Sequence, residues 1–198
     1  MRKIALSLLL IASSLSFADS HDHDHEHDDD HQHDQSQLDS HVHGMAQLDV
    51  VLEGSMLLAS LKAPAADLVG FEHVADGEEQ IIQVYDLVGR MNLPDTFWHL
   101  PEAAGCEAEE IHVEHHLLED EEDHDHEHEH EHEHDTAHSD VIVDYYYTCE
   151  HPEQLEQIRV NLFNTYPSLQ EIQVQLITPA GQQGLILNAG QNMLRLNE

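Results

Sequence analysis

Two stretches of this chain are too polar to contribute to any interior. Residues 19–40 (DSHDHDHEHDDDHQHDQSQLDS) and 119–140 (EDEEDHDHEHEHEHEHDTAHSD) are dense in like charge and nearly devoid of apolar side chains. They cannot bury enough surface to offset the entropy of ordering the chain, so both are expected to be disordered without a ligand. Whatever folds must be built from what remains: residues 41–198, read as one domain interrupted by the second tract.

The folded part reads as short strands. Met45 to Glu53 and Met56 to Ala63 carry recurring apolar residues around Glu53-Gly54-Ser55, the pattern of a hairpin. Glu79 to Met91 places Ile81, Ile82, Val84, Tyr85, Leu87 and Val88 at a spacing closer to a helix, bounded by Gly77 and Pro94. Cys106 to Leu118 and Val141 to Cys149 read as paired strands with the second tract as an outsized loop, and Val141, Val143, Tyr145 and Tyr147 share one face. Ile158, Val160 and Leu162 alternate, as do Ile172, Val174 and Leu176, and Leu185 to Leu187 and Met193 to Leu196 form shorter apolar runs. Pro152 can open a short helix. The expectation is a β-rich α+β fold of antiparallel sheets in two packed layers, with one or two helices.

Residues 1–18 have the form of a secretory signal peptide: Arg2 and Lys3, a mostly apolar run from Ile4 to Leu15, then Ser16-Phe17-Ala18. The run is short for a bilayer span and broken by serines, so a periplasmic chain with no membrane insertion after cleavage is expected. The formal charge is −35 at pH 7, with 41 acidic residues against 6 basic ones, which repels nucleic acid and attracts cations. In an oxidising compartment the two cysteines, Cys106 and Cys149, read as a disulfide. It would close a loop of about 44 residues, worth about 4 kcal/mol on the chain-entropy estimate.

The chemistry is carried by histidine. The tracts hold His21, His23, His25, His27, His31 and His33, then His124, His126, His128, His130, His132, His134 and His138. In an extended chain the second series sets imidazoles on one edge and carboxylates on the other. Neutral imidazole suits zinc, and also nickel, cobalt or copper, whereas carboxylates alone suit calcium or magnesium. A flexible tract can wrap several ions with interchangeable donors, which points to divalent metal ions as partners and Zn2+ as the ion held. Nearby carboxylates favour protonated imidazole, so protons are expected to compete with metal. A second, ordered candidate is His41-Val42-His43, whose imidazoles share a face of an extended chain. Glu72, His73, His112, Glu114, His115 and His116 could complete it, while His99 and His151 read as isolated loop residues. Catalysis finds little support: there is no H-E-x-x-H helix, no G-x-S-x-G elbow and no glycine-rich phosphate loop. A non-enzymatic carrier is therefore expected, with a metal-dependent hydrolase or a detoxifying metal buffer as alternatives.

Five strings resemble one family. They are His41-Val42-His43-Gly44-Met45-Ala46-Gln47-Leu48, Ala63-Pro64-Ala65-Ala66-Asp67-Leu68-Val69-Gly70-Phe71-Glu72-His73, Ala104-Gly105-Cys106, Tyr147-Thr148-Cys149 and Phe163-Asn164-Thr165-Tyr166-Pro167. In order and content they are similar to the ZrgA family of zinc-regulated periplasmic proteins, as is the histidine insertion between the cysteines. The resemblance implies a periplasmic zinc-binding protein that assists high-affinity uptake together with an ATP-driven importer and its solute-binding protein. Asp67 stands where the family pattern leads one to expect Asn, which bears on the local turn.

Overall fold

The computed structural model describes residues 42–119 and 139–197. Alternation of apolar and polar residues organises it. In β1 (Met45–Glu53) Ala46, Leu48, Val50 and Leu52 face inward, and in β2 (Met56–Pro64) Leu57, Ala59, Leu61 and Ala63 do so. The two strands form the expected hairpin, Glu53 pairing with Met56, and Gly54 takes φ +60° in the turn. Such a left-handed position favours glycine.

Two helices follow: α1 (Ala65–Val69), ended by Gly70 at φ 89°, and α2 (Glu78–Met91). The sequence spacing located α2 to within a residue. Only Val84, Leu87 and Met91 of α2 are buried, whereas Ile82 and Tyr85 stay exposed. The short β3 (Trp98–His99) precedes β4 (Cys106–Glu114), and β5 (Asp140–Cys149) pairs antiparallel with β4. The expected strand to Leu118 stops at Glu114, and His115 onward leaves the sheet. As expected, Val141, Val143, Tyr145 and Tyr147 all point into the core.

The alternation expected to run through Ile158, Val160 and Leu162 ends with β6 (Gln157–Val160). Leu162 instead begins α3 (Leu162–Thr165), whose turn closes with Tyr166 N–H donating to the Leu162 carbonyl at 2.9 Å. Then come β7 (Glu171–Thr178), β8 (Gly181–Asn188) and β9 (Met193–Arg195).

One sheet has six strands in the order β4-β5-β2-β1-β7-β8, the other three in the order β3-β6-β9. Antiparallel pairs dominate, with one exception: β7 lies parallel to β1. The N–H groups of Gln170 and Glu171 both donate to the Gly44 carbonyl, at 2.8 and 2.9 Å, so β1 and β7 start side by side. The sheets share a core. Trp98 of the small sheet meets Tyr145 of the large one edge-on, with ring centroids 5.4 Å apart, and Tyr145 also donates its hydroxyl to Met91 Sδ at 3.6 Å. Edge strand β4 presents Glu107, Glu109, Glu110 and Glu114 to solvent.

Cys106 and Cys149 are directly opposed in the β4–β5 register and joined as a disulfide, S–S 2.08 Å. The bridge expected from the sequence is therefore present, at the end of the β4–β5 ladder formed by Cys106 and Cys149. Among the described residues no helix is long and apolar enough to cross a membrane.

Candidate metal-binding site

The site begins with a turn. Met45 N–H donates to the Val42 carbonyl at 3.0 Å, and Gly44, third of the four residues, takes φ +82°, as a type II turn requires. Val42 and His43 thus sit on a tight corner at the mouth of β1, where a side chain on the second residue projects outward. His43 does project: its side chain is exposed, and its Nε2 lies 2.7 Å from Glu72 Oε1. Glu72 is only 14 % exposed on its side chain, so its carboxylate is largely fixed.

The other half of the site follows α1. Gly70, at φ 89°, ends the helix after Val69, and two residues later Glu72 meets the His43 turn. His73 stacks on Phe71 with centroids 5.2 Å apart, and its Nδ1 hydrogen-bonds the Val74 carbonyl at 2.8 Å. As donor to a carbonyl, Nδ1 carries the proton, which leaves Nε2 as the lone-pair nitrogen. A backbone contact of this kind orients a metal-ligating imidazole.

His112 and Glu114 lie on β4, and His115 and His116 just beyond its end. His115 is half-buried, its Nδ1 accepting the Leu117 N–H at 3.3 Å, and burial, then the neighbouring His116, holds its pKa below the ordinary histidine value. His116 Nε2 stands 4.0 Å from Glu114 Oε1. His99, expected in a loop, lies on β3 opposite Arg159, and His151 sits 3.6 Å from Glu153 just after β5.

The structure therefore brings His43 and Glu72 together, sets His73 beside them in sequence, and gives the β4 group separate local partners. Among the described residues no three His, Cys, Asp or Glu side chains form a group able to hold a metal ion. His41, the N-terminal series from His21 to His33 and the series from His124 to His138 lie outside the described residues.

What sequence reasoning missed is how this region is tied to the second tract. Ala65 N–H donates to the Ser139 carbonyl at 2.9 Å and Ala75 N–H to the Leu117 carbonyl at 2.8 Å. Lys62 Nζ pairs with Asp140 Oδ2 at 3.2 Å. Both ends of the histidine-rich insertion are thus bonded to the segment 62–75 that carries Glu72 and His73. No local pattern in the sequence encodes such long-range backbone bonds.

The long-range contact of Asp67 was missed as well. Its carboxylate accepts the Gly44 N–H at 2.6 Å, so the residue that departs from the expected Asn supplies the acceptor oxygen that Asn would also supply.

A family model described as ZrgA family zinc uptake protein matches residues 40–196. The chain belongs to the ZrgA family. The match runs through the His43 turn, the Glu72–His73 segment, both cysteines and the flanks of the second tract. Membership places the chain in a family described as zinc uptake proteins and so associates it with zinc. No curated protein matches the chain.

Proposed function

We propose that the chain is a periplasmic zinc collector and buffer that assists high-affinity import by an ATP-driven transporter and its solute-binding protein. Zinc is cargo in this reading. The observation that carries it is the match to a zinc uptake family over residues 40–196, in a chain with thirteen histidines gathered in two acid-rich tracts. Export is supported by the residue pattern of 1–18 and by a disulfide, a bond that persists in oxidising compartments.

Two kinds of site divide the work. The tracts offer many interchangeable imidazoles that capture several ions with fast exchange. His43 and Glu72, with His73 as a further donor, offer one ordered position. Tetrahedral zinc with ordinary bond lengths sets a nitrogen and an oxygen ligand about 3.3 Å apart. The pair stands at 2.7 Å as a hydrogen bond, so loss of the Nε2 proton and an opening of under about 1 Å would admit the ion. The hydrolase alternative needs three protein ligands with an open position for water, and no observation favours it over the carrier.

Equilibrium dialysis tests the reading. At neutral pH the mature chain is expected to bind several zinc ions and to lose most of them when the histidines of both tracts become serine. Equal binding by both chains would reject it. A strain lacking the protein is expected to grow poorly under zinc chelation, and normal growth there would reject the uptake role.

A further inference from the structure

Among the described residues Asp67 is the one polar or charged residue that is buried, at 8 % exposure. A buried carboxylate is costly unless its oxygens are hydrogen-bonded. As an acid in the first turn of α1 it would be well placed to bond that helix's own N–H groups, yet α1 has no side-chain cap. The carboxylate instead reaches 23 positions back along the chain and accepts the Gly44 N–H at 2.6 Å.

This bond has a partner across a small ring. His43 precedes Gly44, and Glu72 follows Asp67 by five residues, past Gly70. Two segments of chain are therefore clamped at two points: Asp67 to the Gly44 backbone, and Glu72 to the His43 imidazole. Gly44 is held from its other side by Gln170 and Glu171 on its carbonyl. The second clamp would give way to an entering cation, whereas the first, the Asp67 carboxylate on the Gly44 backbone N–H, uses neither of the two proposed zinc donors and remains.

We infer that Asp67 is a positioning residue for the ordered zinc site: by accepting the Gly44 N–H it fixes the turn that presents His43 to Glu72. This rests on the proposed role of His43 and Glu72 as zinc donors. Since the Gly44 carbonyl bonds persist without it, removing Asp67 loosens the angle of the turn rather than the fold. Entry of an ion then has to order His43 at the cost of affinity. Asparagine keeps the acceptor oxygen and so keeps the function.

The test uses the full chain with the tract histidines replaced by serine, so that ordered donors dominate. Zinc affinity is read by competition with a chromogenic chelator, and ligand geometry by the visible bands of bound cobalt(II). Asp67→Ala is expected to weaken zinc roughly tenfold, the lower end of what supporting contacts around a metal site contribute, and to alter the cobalt bands. Asp67→Asn is expected to restore both, with thermal unfolding confirming that each variant is folded. Parent-like affinity in Asp67→Ala, where His43→Ala and Glu72→Gln are deficient, overturns the role of Asp67 alone. Equal loss in Asp67→Ala and Asp67→Asn overturns the acceptor role. Binding that ignores His43→Ala and Glu72→Gln overturns the ordered site itself and this role with it.

Discussion

Ala65 donates its backbone N–H to the Ser139 carbonyl at 2.9 Å, which ties the first residue of α1 to the last residue before β5. With the matching bond from Ala75 to Leu117, the folded region holds the two roots of the histidine-rich insertion on its own backbone. The framework that carries these two roots is itself closed by β4–β5 pairing and a disulfide.

Replacing residues 119–138 by a linker of about six residues should therefore leave the fold intact. Because loop-closure entropy falls by about 0.6 kcal/mol for each halving of loop length, the shortened chain should be more stable by about 1 kcal/mol. Urea unfolding of both chains checks this, and a loss of stability would mean that the tract itself packs on the core.

Cys149 is buried and Cys106 half-buried at the end of the β4–β5 ladder. Changing both to serine should cost about 2–4 kcal/mol. The tract imidazoles do not depend on the bridge, so zinc stoichiometry should be unchanged in the folded double variant, as dialysis would report.

Gly44→Ala meets two obstacles. The residue is at φ +82°, and a Cβ there would lie 3.3 Å from the Gln170 side chain. The left-handed conformation alone costs about 1–2 kcal/mol, so a loss of that size in denaturant melts is expected. Residual zinc affinity in the tract-substituted chain should fall with it, because His43 rides on the same turn.

Burial holds the phenols of Tyr145, Tyr147 and Tyr166 above the ordinary tyrosine value. A raised tyrosine pKa favours the protonated native state, so this stability is fully present below about pH 10, where unfolded tyrosine ionises. It is lost as pH rises further, because the unfolded chain then releases protons that the native chain keeps. Urea midpoints taken at pH 8, 10 and 11 should fall, and Tyr145→Phe should flatten the decline.

Zinc uptake by the tracts should release protons, and affinity should drop as pH falls through the histidine range near 6.5. Calorimetry in buffers of differing ionisation enthalpy measures this directly, and heats independent of buffer would contradict it.

Legibility of this chain followed the range of the interactions. The β1–β2 hairpin, α2 and the inward face of β5 were readable because period and turn chemistry are local to Gly54, Val84 and Tyr145. The parallel pairing of β7 with β1 was not, since it depends on Gln170 and Glu171 meeting Gly44 across more than half the chain. Nor was the end of the alternation at Leu162, where an apolar residue is buried equally well by a helical turn as by a strand. At the site, the types of His43 and Glu72 announced metal chemistry, whereas their contact did not. Asp67 left one trace: a lone acid inside the apolar string Ala65-Ala66-Asp67-Leu68-Val69, which a purely exposed helix would not explain.

The glutamates along β4 bear on how such molecules behave in a crowd. Ions shared between the histidines of neighbouring molecules would draw copies close, and an open sheet margin invites strands to add to one another. With Glu107, Glu109, Glu110 and Glu114 exposed along edge strand β4, like charges oppose that addition. Clusters assembled by metal should accordingly dissolve on chelation instead of maturing into fibrils.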